Sequence, residues 1–111
     1  MNLGVLADLL GDDPAVIQDV LATFRASTVG AALTMAQAHA AGEAQTLFQT
    51  AHKLKSAARA VGAARLGRIC ADIEAIAAKR HSPLLAALEP LMAEFRIELR
   101  AVHSFLDQQQ R

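Results

Sequence analysis

At 111 residues, with eleven Lys plus Arg against eleven Asp plus Glu, the chain fits one domain over residues 1–111 and leaves no room for a nucleotide-binding catalytic domain as well. Apolar residues make up 53% of it, tryptophan and tyrosine are absent, and no β-branched alternation or hairpin dipeptide occurs, which favours packed helices over a sheet. Zero net charge argues against general nucleic-acid binding, the single cysteine excludes an internal disulfide, and no run of about 18 apolar residues offers a membrane span.

The opening residues lack a basic segment followed by an apolar core, so no secretion signal is read and the cytoplasm is the expected compartment. Beginning at Met1 without a linker, the chain is expected to be free-standing; excision from a larger hybrid protein is the alternative. Asn2 to Leu10 suits a short helix with Leu3, Leu6 and Leu10 on one side and Gly11 at its end. Asp13 as N-cap and Pro14 at the first position start a second helix reaching about Ala40, with Val16, Val20, Phe24, Ala31 and Met35 at helical spacing. Gly30 inside that helix costs about 1 kcal/mol relative to alanine, so close approach of another helix is the expected reason for it.

Ala41-Gly42-Glu43 turns the chain into a third helix ending near Val61, with Gly62 as its closing residue. A fourth, about Ala64 to Lys79, turns Leu66, Ile69, Cys70, Ile73 and Ile76 or Ala77 inward. His81-Ser82-Pro83 is the next break, with Ser82 as N-cap. Leu84, Leu88, Leu91, Phe95, Leu99, Val102 and Leu106 then stripe a last helix that Pro90 should kink or divide, and Gln108 to Arg111 should fray. The expected fold is all-α: an antiparallel up-down-up-down four-helix bundle with a short N-terminal capping helix. One bundle of this length closes its own core, so a monomer is expected.

The chemistry sits in the third helix. At about 100° per residue, Leu47, Ala51, Leu54, Ala58 and Val61 fall on one narrow arc, which leaves His52 facing solvent. Lys55 and Arg59 follow His52 at three and seven residues, along its own side of the helix. An exposed neutral imidazole is a good nucleophile near pH 7 and can take up a phosphoryl group. Neighbouring cations would hold the oxygens of that group as it arrives or leaves. Ser56, one turn on, adds little bulk.

The remaining histidines lack such company: His39 and His81 lie near turns, His103 late in the last helix. No His-Glu-x-x-His or Cys-x-x-Cys pairing points to a metal. Cys70 falls on an apolar stripe and no glycine-framed serine occurs, so hydrolase chemistry is not indicated. Glu74 is expected to face Arg68 or Lys79 as an ordinary surface charge. Phe24, Phe95 and Phe105 are core residues, while Phe48 shares the angle of His52 and is placed at the surface.

The pattern His52-x-Leu54-Lys55-Ser56, then Gly62, Ala63, Leu66, Cys70 and Glu74, resembles the histidine-containing phosphotransfer (HPt) domain. That family's signature reads H-x-L-K-G followed by x5-G-A, a leucine, a small residue and a glutamate. The likeness extends to Leu9-Leu10-Gly11-Asp12-Asp13 and the helix with Phe24 and covers nearly the whole chain. One departure is Ser56, where the family has glycine.

The resemblance implies a phosphorelay carrier without kinase activity of its own. His52 would take a phosphoryl group from the aspartate of one receiver domain and pass it to another, the receivers belonging to hybrid histidine kinases and response regulators. It also implies that the receiver supplies the acid pocket and its magnesium ion, so this chain needs no cofactor. In that picture Lys55 is the main charge partner of the phosphoryl group and Arg59 a weaker one. Phe48, Gln49, Lys53 and Ser56 form the docking rim, which the apolar side of the first helix extends. The rival reading is a non-catalytic four-helix adaptor that binds a signalling partner through the same basic face. A third, nucleic-acid binding by the Lys53 to Arg68 patch, meets the objection of zero net charge.

Overall fold

The structure, a computed structural model, describes residues 1–11, 13–79 and 86–109. Five helices are bounded among the described residues: α1 (Leu3–Leu10), α2 (Pro14–Ala41), α3 (Ala44–Ala60), α4 (Ala64–Ala77) and α5 (Glu89–Gln109). Strands are absent among the described residues. Helices α2 to α5 form an antiparallel bundle in which each packs on its chain neighbour and α5 returns to α2. Its core is the set of apolar stripes, with Phe24, Met35, Leu47, Leu66, Ile73, Met92, Phe95 and Leu106 buried among them.

The turns are specified locally. Asp13 caps α2, its Oδ1 accepting from the Ala15 N–H at 3.0 Å with Pro14 next in line. Helix α2 ends with Gly42 at φ +71°, where the N–H groups of Gly42 and Glu43 donate to His39 and Ala38 oxygens. Helix α3 ends the same way: Gly62 takes φ +76°, its N–H donates to Arg59 O, and Ala63 N–H donates to Ala58 O. Both are Schellman turns, which spend the last carbonyls of one helix and aim the next one back. Helix α1 is tied to this end of the bundle, since Asn2 N–H donates to Gly62 O at 3.1 Å and Leu6 is buried.

Several expectations need correction. Val16 is exposed and Leu21, Thr28 and Ala38 are buried instead, because Val16 lies about 90° from the arc that Phe24 and Met35 define. Leu10 is likewise exposed rather than packed. Helix α4 stops two residues short of Lys79, at Ala77. The division expected at Pro90 is present just ahead of it: Ala86 is helical, the chain turns at Ala87 and Leu88, and helix resumes at Glu89. Pro90 therefore stands in the first turn of α5, where no intrahelical donor is needed, and the Leu88 carbonyl accepts from Met92 N–H at 2.8 Å. The break at His81-Ser82-Pro83, the stripe position Leu84, and Asp12, Gln110 and Arg111 lie outside the described residues.

Gly30 is not a close-approach site. A Cβ there would meet nothing within 4 Å. Gly62 is the opposite case, since its Cβ would run into the Asn2 carbonyl oxygen and its φ is positive. Gly30→Ala is therefore expected to raise stability by about 0.5–1 kcal/mol and Gly62→Ala to lower it by about 1–3 kcal/mol. Urea unfolding of the two variants beside wild type checks this, and equal signs would contradict it.

Thr28 is the fully buried polar residue of α2. Its hydroxyl donates to Arg25 O at 2.7 Å, so it must accept from His103, whose Nε2 lies 2.8 Å away and therefore carries hydrogen. Arg25 reaches Asp107 at 2.6 Å beside them, clasping α2 to α5. Burial foremost, then the Arg25 charge, lowers the His103 pKa below its ordinary value, against the opposing pull of Asp107. The folded protein then holds fewer protons than the unfolded chain just below pH 6.5, so stability is full above that pH and falls as pH drops through it. Denaturant midpoints measured between pH 7.5 and 5.5 should decline in wild type and decline less in His103→Gln.

Candidate functional site

Helix α3 projects His52 outward because Leu47, Ala51, Leu54 and Ala58 are buried on its opposite side. The His52 side chain is 56% exposed. It does not stand alone, since it leans toward α4, where its Nδ1 lies 3.2 and 3.3 Å from the two carboxylate oxygens of Glu74. Lys55, on the next turn of α3, brings its ammonium to 2.9 and 3.1 Å from the same oxygens. Glu74 is thus no solvated surface charge opposite Arg68 or Lys79, as its position in the chain suggested. Its side chain is 16% exposed and bridges α3 and α4 at the centre of the site.

The electrostatics follow from that bridge. The Lys55 hydrogen bond, and after it the one from His52, hold the Glu74 carboxyl below its ordinary value against partial desolvation. An ionised carboxylate only accepts hydrogen bonds, so His52 Nδ1 must be the protonated nitrogen. The lone pair of the neutral ring is then on Nε2. Glu74 acts as an orienter: it fixes the tautomer and supports any positive charge that develops on the ring. Phe48, one turn before His52, lies nearly parallel to the imidazole, with centroids 6.3 Å apart and planes at 13°. The ring is held on one side by an aromatic and at one nitrogen by a carboxylate.

The other sequence candidates separate into two groups. Gln49 and Ser56 are exposed on the outer face of α3 beside His52, and the Ser56 hydroxyl donates back to His52 O at 3.3 Å. Lys53 points the other way, to the groove between α2 and α3 that Ser27, Ala31, Thr34 and Thr50 also line. Arg59 is exposed two turns beyond His52, with its stem over Gly67 of α4. The structure therefore groups His52, Lys55, Phe48 and Glu74 and sets Lys53 and Arg59 apart from them.

Cys70 is buried one turn before Glu74, and burial, with Glu74 adding to it, pushes its thiol up to about 12. A buried thiol pushed up in this way stays protonated near neutrality and is a poor nucleophile. Among the described residues no cluster of His, Cys, Asp and Glu could hold a metal ion, and no helix is long and apolar enough to cross a membrane.

The family model of the Hpt domain matches residues 19–105. Among solved structures, the crystal structure of histidine-containing phosphotransfer protein B (HptB) from Pseudomonas aeruginosa PAO1 is similar to this chain, with a TM-score of 0.82 and 26% sequence identity. That match covers 98% of this chain and 90% of the other. No curated protein sequence matches the chain.

Proposed function

We propose, because this chain belongs to the Hpt domain family, that it is the carrier of a phosphorelay and that His52 is its phosphoacceptor. The observation that supports this most is the Lys55–Glu74–His52 chain, which leaves Nε2 as the one ring nitrogen with a free lone pair on an exposed imidazole.

In this reading His52 Nε2 attacks the phosphorus of an aspartyl phosphate on a docked receiver. The N–P bond forms as the P–O bond to the aspartate breaks, and the carboxylate leaves with the bonding pair. The Nδ1 proton stays on the ring, and Glu74 balances the positive charge it now carries. Lys55 has three ammonium hydrogens, and any not spent on Glu74 can turn to the arriving phosphoryl oxygens. Its first task is to keep Glu74 ionised. Reversal of these steps delivers the group to a second receiver. Magnesium belongs to the receiver in this scheme, and no cofactor is assigned to this chain. The exposed Ser56 and Gln49 and the ring of Phe48 form the docking rim around the imidazole. The domain acts in the cytoplasm as a monomer.

The discriminating experiment places the chain between two receivers. One is phosphorylated with acetyl phosphate, the protein is added and then removed, and a second, unphosphorylated receiver is supplied. Label on the protein followed by label on the second receiver supports a carrier. Stable binding to both receivers without label on the protein would establish an adaptor instead.

A further inference from the structure

Gly67 lies buried on the face of α4 that meets α3. A Cβ at this position would stand 3.3 Å from Arg59 Cγ, 3.8 Å from Arg59 Nε and 3.8 Å from Ala58 Cβ. The Ala58 distance is an ordinary van der Waals contact. The Arg59 Cγ distance is tighter than that, so the aliphatic stem of Arg59 would have to shift by a few tenths of an ångström to admit a side chain on residue 67. Arg59 therefore crosses from α3 onto α4 instead of extending along α3 toward His52. It reaches the seam between the helices about 10 Å beyond His52, two turns on and on the same exposed face.

Lys55, the other cation on the His52 side of α3, is engaged with Glu74, and Arg65 of α4 turns away to Glu98 of α5 at 3.9 Å. Among the described residues Arg59 pairs with no carboxylate. An arginine whose stem rests against a neighbouring helix has lost part of its rotamer freedom before any partner arrives, and its fork matches a carboxylate in two hydrogen bonds.

We propose that Gly67 is a positioning residue that seats Arg59 as a docking anchor for a carboxylate on the rim of the receiver's acid pocket. Arg59 then governs how tightly the receiver docks, and Lys55 with Glu74 governs the transfer itself. This rests on the phosphotransfer reading above and reassigns Arg59 from the phosphoryl group to the partner's surface.

The test is a double-mutant cycle. Initial rates of transfer from a receiver charged with acetyl phosphate are measured against receiver concentration for wild type, Arg59→Ala, Gly67→Ala and the double variant. Each single change is expected to raise the half-saturating receiver concentration by about 5–10-fold, with little change in the saturated rate. The double variant should be no worse than Arg59→Ala alone, because Gly67 matters only while Arg59 is there to be seated. The salt dependence of half-saturation should flatten equally in all three variants. Effects of the two changes that multiply, or a Gly67→Ala protein that matches wild type, would overturn the proposal.

Alanine favours the helical backbone over glycine, so Gly67→Ala is expected to fold. If its helicity were lost, Arg59→Ala alone would decide, and an unchanged half-saturation there would overturn the inference. Failure of wild type to take label at all would remove the phosphotransfer reading together with this one. Normal transfer by wild type and by both single variants would remove this inference only.

Discussion

His52→Gln is expected to abolish phosphoryl uptake while leaving the helical content and the unfolding midpoint nearly unchanged. Glutamine has no ring nitrogen with a nucleophilic lone pair, so no N–P bond can form. The fold does not depend on the imidazole: the side chain is more than half exposed, and its contacts are the parallel Phe48 ring and one edge of Glu74. A surface side chain of this kind contributes about 0.5 kcal/mol or less to stability. Glutamine can also keep a donor toward Glu74. Binding to a receiver should survive, since a carrier loses transfer and not docking. A large drop in the melting temperature would mean that the ring is structural, and residual labelling would mean that another side chain accepts the group.

Lys55→Ala is expected to slow transfer by about 10²-fold, with His52 still present and still exposed. The ammonium is the foremost cause of the low pKa of Glu74. Without it, a carboxylate that is only 16% exposed keeps its desolvation and loses its nearest cation. Glu74 then becomes easier to protonate, and a protonated Glu74 no longer dictates that Nδ1 holds the ring proton. In the phosphotransfer reading proposed above, the developing phosphoryl charge also loses a donor. Both losses act on the chemical step, so the saturated rate should fall and the half-saturating receiver concentration should stay near that of wild type. Rapid-quench kinetics on the variant separate the two quantities. A change confined to half-saturation would assign Lys55 to docking.

Much of this site is legible in one helix. The burial of Leu47, Ala51, Leu54 and Ala58 makes the α3 stripe unambiguous, and with the stripe fixed, His52 has to face out and Lys55 has to stand beside it. Glu74 is hidden from that argument because its partners lie on another helix, 19 and 22 residues back along the chain. A periodicity along α4 gives the angle of Glu74 but not which neighbour fills that angle. Hairpin register would have supplied it: Gly62 turns α3 back into α4, so residues at similar separations before and after it meet. His52 and Glu74 satisfy that condition, as do Arg59 and Gly67.

The glycines carry the same lesson in reverse. Gly30 and Gly67 are both helical, and composition treats them alike. Gly30 sits on the outer face of α2 with empty space before it, whereas Gly67 faces α3 with Arg59 across it. What separates them is the angle of each relative to its own buried stripe. Pro90 is a third instance, since a proline reads as a kink or as a start depending on where the preceding turn falls. Here the turn at Ala87 and Leu88 makes it a start.

The account stands or falls most directly on where the phosphoryl group is found. The wild-type protein, loaded from a phosphorylated receiver and kept from acid so that the N–P bond survives, is fragmented in a mass spectrometer, and its ring nitrogens are read by nitrogen NMR. The expected result is a single phosphoryl group on His52, at Nε2, with Nδ1 still protonated beside Glu74. A group on Nδ1, on another histidine, or on no residue of this chain would contradict the reading.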